Sequence, residues 1–216
     1  MALRKEHKAQ VVSLDKPNLT AEGIGRLGFS RNSAFLKVLP GGDHWGTIYQ
    51  ALRRDRVYPI DPMVWGWHMH TRQASMSMIR EFMQLSLMHS AIPENAVRPI
   101  ALATYNSRIV GYFSEYVDGT TVRRGIALRP DKKEEVTNKV VEVVRRFHAK
   151  GIGHGDLVYL CNVFLAEDGR ILLYDPFRPL MANNRFLINV DRASIRNDFR
   201  YMSEFQWNTA GRTGIG

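Results

Sequence analysis

The sequence contains a single cysteine, Cys161, in 216 residues, which excludes a fold held together by internal disulfides. One thiol is compatible with a reducing cytoplasm, where disulfide bonds are rare. The chain also lacks any run of about 18 apolar residues, the length that a membrane-spanning helix requires. Its first residues, Met1 to Lys8, are charged and precede no apolar stretch, so they do not resemble a secretion signal. We therefore expect a cytoplasmic protein without a transmembrane segment.

Acidic residues are in deficit, since 21 Asp and Glu stand against 30 Lys and Arg, for a formal net charge of +9. This balance favours anionic partners such as nucleotides, phosphorylated sugars or an anionic membrane surface. Peripheral contact with the inner face of the membrane is compatible with it. The sequence lacks zinc-finger spacing and other nucleic-acid modules, so nucleic acid is not a favoured partner.

The most informative stretch runs from His148 to Asp175 and places the carboxylates of Asp156 and Asp175 and the carboxamide of Asn162 in a regular order. A helix is predicted to end near a glycine, and a His-Gly-Asp turn ending at Asp156 follows. Asn162 comes six residues later. The segments on either side of Glu167-Asp168-Gly169 then predict a β-hairpin that ends at Asp175. Such a hairpin would place Asn162 and Asp175 side by side.

These residue types suit phosphoryl transfer, which depends on positioning an acceptor hydroxyl and on neutralising phosphate charge with metal ions. Asp156, at the tip of a turn, can accept a hydrogen bond from the attacking hydroxyl. Magnesium prefers hard oxygen ligands, so Asn162 and Asp175, completed by ATP phosphates, make a reasonable site. Alone, each of these residues is more typical of a turn, a loop or a helix cap than of a functional site. The joint spacing is what favours the functional interpretation.

The block from Arg146 to Leu157 resembles the end of helix E and the catalytic loop of the protein-kinase-like superfamily. Its His-Gly-Asp form is most similar to the aminoglycoside phosphotransferase and lipopolysaccharide-kinase branches. The resemblance implies that Asp156 is the catalytic base and that Asn162 and Asp175 bind Mg2+. Two departures stand out. The family normally has the Asn five residues after the base, whereas Asn162 comes six residues after Asp156, and Pro176 follows Asp175 where phenylalanine is common. A proline fixes backbone φ, so the following segment should be stiff.

An ATP-binding lobe is expected upstream. The apolar run around Lys37 predicts a strand, and the resemblance implies that this lysine contacts ATP phosphates. The alternative is a surface lysine on an edge strand. Residues 75–89 predict a helix with one apolar side made of Ile79, Phe82, Met83 and Leu87. Glu81 lies in that helix, and by resemblance it pairs with Lys37, whereas its alternative is a solvated carboxylate.

Two further segments are similar to the nucleotide-binding parts of the family. Residues 108–119 resemble its fifth strand and hinge, where main-chain groups at Glu115 and Val117 would bind adenine. A glycine-rich motif matches the phosphate loop, because glycines let backbone amides approach phosphate closely. An ordinary loop is the alternative, since this motif alone is weak. Its glycines are Gly23, Gly25 and Gly28.

The expected fold is α+β, a single bilobal protein-kinase-like domain over residues 1–216. A small antiparallel-sheet N-lobe would span about 11–117 with an insertion at 40–74, followed by a hinge at 115–119 and a reduced helical C-lobe from about 120. The first C-lobe helix should begin near Asp131, a predicted cap, and a last helix should run from about Asp191 to Phe205. The helix after Asp131 has an apolar face of Val136, Val140, Val143, Val144 and Phe147. This reduced lobe is similar to lipopolysaccharide core kinases and to compact atypical kinases of the RIO type.

Two functional hypotheses follow. The first is an ATP- and Mg2+-dependent phosphotransferase that acts on a hydroxyl of a lipopolysaccharide-core sugar, another small molecule or, as an atypical Ser/Thr kinase, a protein. The second is a catalytically silent pseudokinase scaffold that binds a protein partner. The joint presence of five polar residues favours the enzyme, because a scaffold has no electrostatic need for all of them. These are Lys37, Glu81, Asp156, Asn162 and Asp175.

Overall fold

The structure is a computed structural model that describes residues 10–13, 34–38, 71–105, 107–157, 160–176 and 183–201. Within these ranges the chain forms seven strands and four α-helices, so the predicted α+β class is confirmed. The chain divides into two compact units, Met1–Phe82 with Arg98–Tyr116 and Met83–Val97 with Val117–Gly216. None of the helices in the described ranges has the length and apolar character that a membrane span requires.

The first unit contains a four-stranded sheet. Its strands are β1 (Gln10–Ser13), β2 (Ala34–Val38), β3 (Pro99–Tyr105) and β4 (Arg108–Glu115), in the spatial order β1-β3-β4-β2. The β3–β4 and β2–β4 pairs are antiparallel, as predicted, whereas β1 runs parallel to β3. The sheet is therefore mixed rather than wholly antiparallel.

Helix α1 (Thr71–Ala91) contains the predicted 75–89 helix and is longer at its N-terminal end. The predicted apolar side was only partly right, because Met83 and Leu87 are 58% and 41% exposed. Two polar residues, Glu81 and Gln84, are buried instead and have hydrogen-bond partners. Their burial turns Met83 and Leu87 outward. From Met78 onward, where side-chain burial is described, the apolar residues that α1 buries are Met78, Phe82, Leu85 and Met88.

The second unit contains a three-stranded antiparallel sheet and three helices. The strands are β5 (Gly119–Thr121), β6 (Val163–Ala166) and β7 (Ile171–Leu173), in that spatial order. The helices are α2 (Val122–Leu128), α3 (Lys133–Ala149) and α4 (Asn184–Tyr201). The predicted apolar face of α3 is confirmed, since all five of its residues are buried in the core of this unit. Phe147 is among the largest of them and its removal should destabilise the fold by roughly 3–5 kcal/mol.

The starts of α3 and α4 differ from the predictions. Asp131 does not cap α3, because its carboxylate accepts hydrogen bonds from the exposed Arg129 side chain at 3.2 and 3.1 Å, and the helix begins after a short 3-10 turn. Helix α4 begins two turns before the predicted Asp191. Asn183 caps it, since its Oδ1 accepts the Phe186 N–H at 2.9 Å.

Candidate active site

The His-Gly-Asp motif lies in a loop that follows α3, here called the Asp156 loop (residues 152–157). Helix α3 ends where Gly151 adopts a φ of +73°, a conformation that glycine takes without steric cost. Ile152 then bonds back through its N–H to the Phe147 carbonyl at 3.0 Å. Within the loop the other residues are buried and Asp156 alone is half-buried. The loop thus presents one partly accessible carboxylate from an otherwise packed segment.

A second carboxylate, that of Asp191 on α4, holds the backbone of the Asp156 loop in place. Asp191 is fully buried, and its two oxygens accept the N–H groups of His154 and Gly155, each at 2.7 Å. Its Oδ2 also contacts Nε2 of His148 at 3.0 Å. A buried carboxylate is tolerated when it is hydrogen-bonded in this way, and bonds to a charged acceptor are stronger than neutral ones. Helix α4 therefore sets the backbone of the loop.

Sequence reasoning placed Asp191 only at the start of a helix and did not identify this role. The signal that could have identified it is the spacing of α4, where Leu187, Asp191 and Ile195 follow one another at i, i+4 and i+8. These positions share one helix face. Leu187 is fully buried and Ile195 packs against the core. A carboxylate in the middle of an apolar face is buried by necessity and needs donors, which the loop amides supply.

His154 connects the Asp156 loop to the end of β7. Its Nδ1 accepts the Asp156 N–H at 3.2 Å, so Nδ1 carries no proton in this arrangement. Its Nε2 then carries the proton and donates it to the Tyr174 carbonyl at 2.8 Å. The hydrogen-bond network thus assigns a neutral imidazole. Because Tyr174 directly precedes Asp175, the His154 side chain connects the backbone of the predicted base, Asp156, to the residue before the predicted metal ligand, Asp175.

The predicted hairpin is present, and it brings Asn162 and Asp175 to the same end. Strands β6 and β7 pair antiparallel with Val163 opposite Leu173, and the turn between them has Gly169 at a φ of +82°. The ladder continues past β7, because Tyr174 N–H donates to the Asn162 carbonyl at 3.2 Å. Asp175 is the next residue, so the backbones of Asn162 and Asp175 are neighbours.

Asn162 also bonds back to the Asp156 loop despite the six-residue spacing. Its Nδ2 donates to the Asp156 carbonyl at 3.1 Å. Between them, Leu160 N–H donates to the Leu157 carbonyl at 3.1 Å, and Leu160 has a φ of +53° with a fully buried side chain. Residues 158 and 159 lie outside the described residues. With Nδ2 bonded to the loop, Oδ1 is the Asn162 atom suited to a cation.

Asp175 itself has left-handed backbone geometry, with a φ of +57°. Aspartate visits this region more readily than most residues, yet such positions are uncommon and concentrate at functional sites. The side chain is half-buried, and the buried Pro176 follows it. This geometry supports a functional hypothesis for Asp175 beyond the spacing in the sequence.

The pKa of the Cys161 thiol is affected by both Asp156 and Asp175. Burial raises its pKa, and the negative charges of Asp156 and then Asp175 raise it further, while Arg123 acts in the opposite direction. Cys161 therefore lies within electrostatic range of both carboxylates.

The oxygens of Asn162 and Asp175 fit a magnesium ion better than a transition metal. Among the described residues, no group of three or more His, Cys, Asp and Glu side chains could hold a metal ion, as a structural zinc site would need. Mg2+ keeps several waters and commonly takes one or two protein oxygens together with substrate phosphates. A carboxylate and a carboxamide oxygen at one end of a hairpin match that donor set.

In the first unit, Glu81 is buried and its Oε1 accepts the hydrogen of the Tyr112 hydroxyl. In the ladder between β2 and β4, Lys37 is the register partner of Tyr112. The predicted strand around Lys37 is therefore present, and its backbone lies beside the residue that binds Glu81. The side chain of Lys37 lies outside the described residues, so a Lys37–Glu81 ion pair stays a prediction.

The other predicted nucleotide-binding residues divide into two groups. Glu115 ends β4, where its N–H donates to the Arg98 carbonyl at 2.9 Å and its Oε1 accepts the Arg98 N–H at 2.8 Å. Val117 is half-buried against a small cluster of Val97, Ala166 and Leu172. One crossing of the chain between the two units falls between Tyr116 and Val117. The glycine-rich motif and residues 40–70 of the predicted insertion lie outside the described residues.

Comparison of the sequence with protein-family models and with curated proteins found no match.

Proposed function

We propose that this protein is an ATP- and Mg2+-dependent phosphotransferase that moves the γ-phosphate of ATP to a hydroxyl group. The observation that carries the proposal is the bonding between three separate segments. Asn162 bonds to the backbone of Asp156, and His154 bonds both to Asp156 and to the residue before Asp175. Phosphoryl transfer relies on fixed geometry more than on covalent chemistry. A network that fixes two carboxylates and a carboxamide suits that requirement.

In the proposed reaction Asp156 orients the acceptor hydroxyl and takes its proton. The hydroxyl oxygen forms a bond to the γ-phosphorus, and the bond from that phosphorus to the β–γ bridging oxygen breaks, so ADP leaves with the electron pair. Asn162 and Asp175 are the residues that would hold Mg2+, which neutralises phosphate charge when bound. Asp156 is suited to its role because it is half-buried on a loop that α4 immobilises.

The proposed fold is a bilobal, protein-kinase-like one, in which the first unit supplies the nucleotide-binding lobe. Lys37, paired with Glu81, would contact the ATP phosphates, the glycine motif would cover them, and main-chain groups at Glu115 and Val117 would contact adenine. The acceptor is a hydroxyl on a sugar, another small molecule or a protein. A cytoplasmic location, with peripheral contact at an anionic membrane surface, accords with the net charge of +9.

The test is ATP turnover with γ-labelled ATP, Mg2+ and a panel of sugar, small-molecule and protein acceptors. Asp156→Ala should lower turnover by roughly 10²- to 10⁴-fold, the usual contribution of a general base. Asp131→Asn is the matched control, because it removes an exposed carboxylate of the same unit. The proposal would be contradicted if wild type transferred no phosphate to any acceptor or to water, so that its turnover equalled that of Asp156→Ala.

Nucleotide binding is tested separately by thermal unfolding. Mg2+ and ATP together should raise the melting temperature of wild type, since ligands that bind only the folded state stabilise it. Asp175→Ala should reduce the part of the shift that depends on Mg2+. Absence of any shift in wild type would favour the scaffold, for which Pro176 and the six-residue spacing from Asp156 to Asn162 are the motivating features.

A further inference from the structure

The backbone N–H and carbonyl of Gly153 are held by two side chains that the proposed reaction does not use. Gln84 on α1 is fully buried, and its Nε2 donates to the Gly153 carbonyl at 2.6 Å and to Oδ1 of Asn184 at 2.9 Å. Asn184 Oδ1 also accepts the Gly153 N–H at 3.4 Å. The three residues close a ring of hydrogen bonds that includes both the N–H and the carbonyl of Gly153. We call this ring the Gly153 clamp.

Close packing adds to the clamp. A Cβ placed on Gly153 would lie 2.5 Å from both the backbone nitrogen of Ile188 and the Cβ of Leu187. Contacts of that length do not occur in folded proteins, so only glycine fits between the loop and α4. The Gly153 carbonyl is thus held by Gln84 on α1, and the Gly153 N–H by Asn184 on α4. Steric contact with α4 holds the Cα between them. Gly153 has little freedom to move while Gln84 stays in place.

The clamp extends the row of contacts made by Asp191. Asn184 and Asp191 are seven residues apart on α4, which places them two turns apart on one face. Their side chains accept the N–H groups of Gly153, His154 and Gly155 in succession. Asp156 is the next residue. Helix α1 adds Gln84 to this row. Its amide donates one hydrogen to the Gly153 carbonyl and the other to Asn184 Oδ1.

We propose that Gln84 and Asn184 are positioning residues for the transfer reaction, which set the alignment of Asp156 through the Gly153 clamp. The proposal rests on the proposed function for its kinetic consequence. Gln84 adds one contact to the Asp156 loop that α4 already holds, so loss of this contact opens the clamp and misaligns the base. Displacement of a reacting group by about 1 Å can lower a rate by about a hundredfold.

Two amide-to-acid substitutions of nearly equal volume test the clamp, because they have opposite expected outcomes. Gln84→Glu replaces the side-chain donor of the ring with acceptors that face the Gly153 carbonyl and Asn184 Oδ1, so two of its three hydrogen bonds are lost and the ring opens. Asn184→Asp keeps a side-chain oxygen that accepts hydrogen bonds from both Gln84 Nε2 and the Gly153 N–H. Its charge also lies in the first turn of α4, where the helix dipole favours it. Met83→Ala, next to Gln84 but 58% exposed, is the matched control.

With γ-labelled ATP and an acceptor that wild type uses, Gln84→Glu should lower kcat by roughly ten- to a hundredfold. Its KM for ATP should change less than threefold, because the clamp does not belong to the proposed nucleotide site. Asn184→Asp and Met83→Ala should keep kcat within about threefold of wild type. Equal kcat values for Gln84→Glu and Met83→Ala would overturn the proposal, as would a loss in Asn184→Asp equal to that in Gln84→Glu.

Amide hydrogen exchange tests the clamp independently of turnover. Exchange at Gly153, His154 and Gly155 should be at least tenfold faster in Gln84→Glu than in wild type, Asn184→Asp and Met83→Ala. Unchanged exchange would overturn the clamp even if activity falls. If wild type shows no turnover, the proposed function fails. The exchange result then still decides whether Gln84 positions the loop. A Gln84→Glu chain that does not fold is replaced by Asn184→Ala, which removes the acceptor and predicts the same faster exchange.

Discussion

Asp191→Ala removes the acceptor of three N–H groups and should be strongly destabilising. The backbone N–H groups of His154 and Gly155 would remain buried without their acceptor, and each such group costs about 1–3 kcal/mol. The sum is roughly 2–6 kcal/mol. Loss of one partner from a buried charged network typically costs about 3–5 kcal/mol, which agrees with that range. We therefore expect a loss in the free energy of unfolding of about 4 kcal/mol.

Asp191→Asn should be intermediate. Its carboxamide has the same shape but offers one acceptor oxygen, and its NH2 group would face a loop N–H, donor against donor. One of the two loop bonds at 2.7 Å is then lost, for about 1–3 kcal/mol. The order wild type, Asn, Ala separates hydrogen bonding from packing, because the Asn variant leaves almost no cavity.

The assay is urea denaturation, with the free energy of unfolding taken from linear extrapolation. Asp131→Asn provides the control, since its carboxylate is exposed and paired with Arg129 at the surface. For a chain of this length, the loss in Asp191→Ala corresponds to a fall in melting temperature on the order of 10 °C. A free energy of unfolding within about 0.5 kcal/mol of wild type for Asp191→Ala would refute the reasoning, because it would mean that the loop amides find water or other partners.

Three further predictions follow from the second unit. Gly153→Ala should destabilise by about 1–3 kcal/mol or more in urea denaturation, because its Cβ has no space; wild-type stability would contradict the packing. Alkylation of Cys161 by iodoacetamide at mildly alkaline pH, followed by mass spectrometry, should be slower than that of a free thiol, since a raised pKa reduces the reactive thiolate. Asp156→Asn should accelerate it by removing a charge that raises this pKa, and an unchanged rate would refute that coupling. Arg146→Ala should lower the free energy of unfolding by about 1–3 kcal/mol, because Arg146 Nη1 donates to the buried Asn95 Oδ1 at 2.6 Å. Arg146→Lys, which lacks the forked guanidinium, should restore only part of the lost stability. A full restoration by lysine would contradict the geometry.

The parts of the fold that local patterns specify could be predicted from the sequence. The apolar spacing of α3 gave its buried face, and the Glu167-Asp168-Gly169 turn gave the hairpin that brings Asn162 and Asp175 together. Both depend on residues that are close in sequence, so periodicity and turn chemistry suffice. The prediction that the hairpin places Asn162 and Asp175 side by side is therefore confirmed for their backbones.

The parts that depend on distant partners could not be predicted. The side of α1 that faces the core was misassigned because Glu81 and Gln84 are buried by bonds to residues 31 and 69 positions away. A polar side chain counts as solvent-facing in a periodicity argument unless its partner is known. The same limit applies to Asp191, whose loop partners are 36 and 37 residues away.

The arrangement of the Asp156 loop on α4 has a consequence for the order in which the protein is made. Three successive loop amides take their acceptors from residues that the ribosome adds later, Asn184 and Asp191. A nascent chain that has reached only the hairpin already contains Asp156, Asn162 and Asp175, yet it lacks the side chains that align the first of them. Domains generally fold as units during synthesis. Helix α4 would thus complete the site after the hairpin has been made, so that a chain interrupted before α4 carries the three polar residues without their shared geometry.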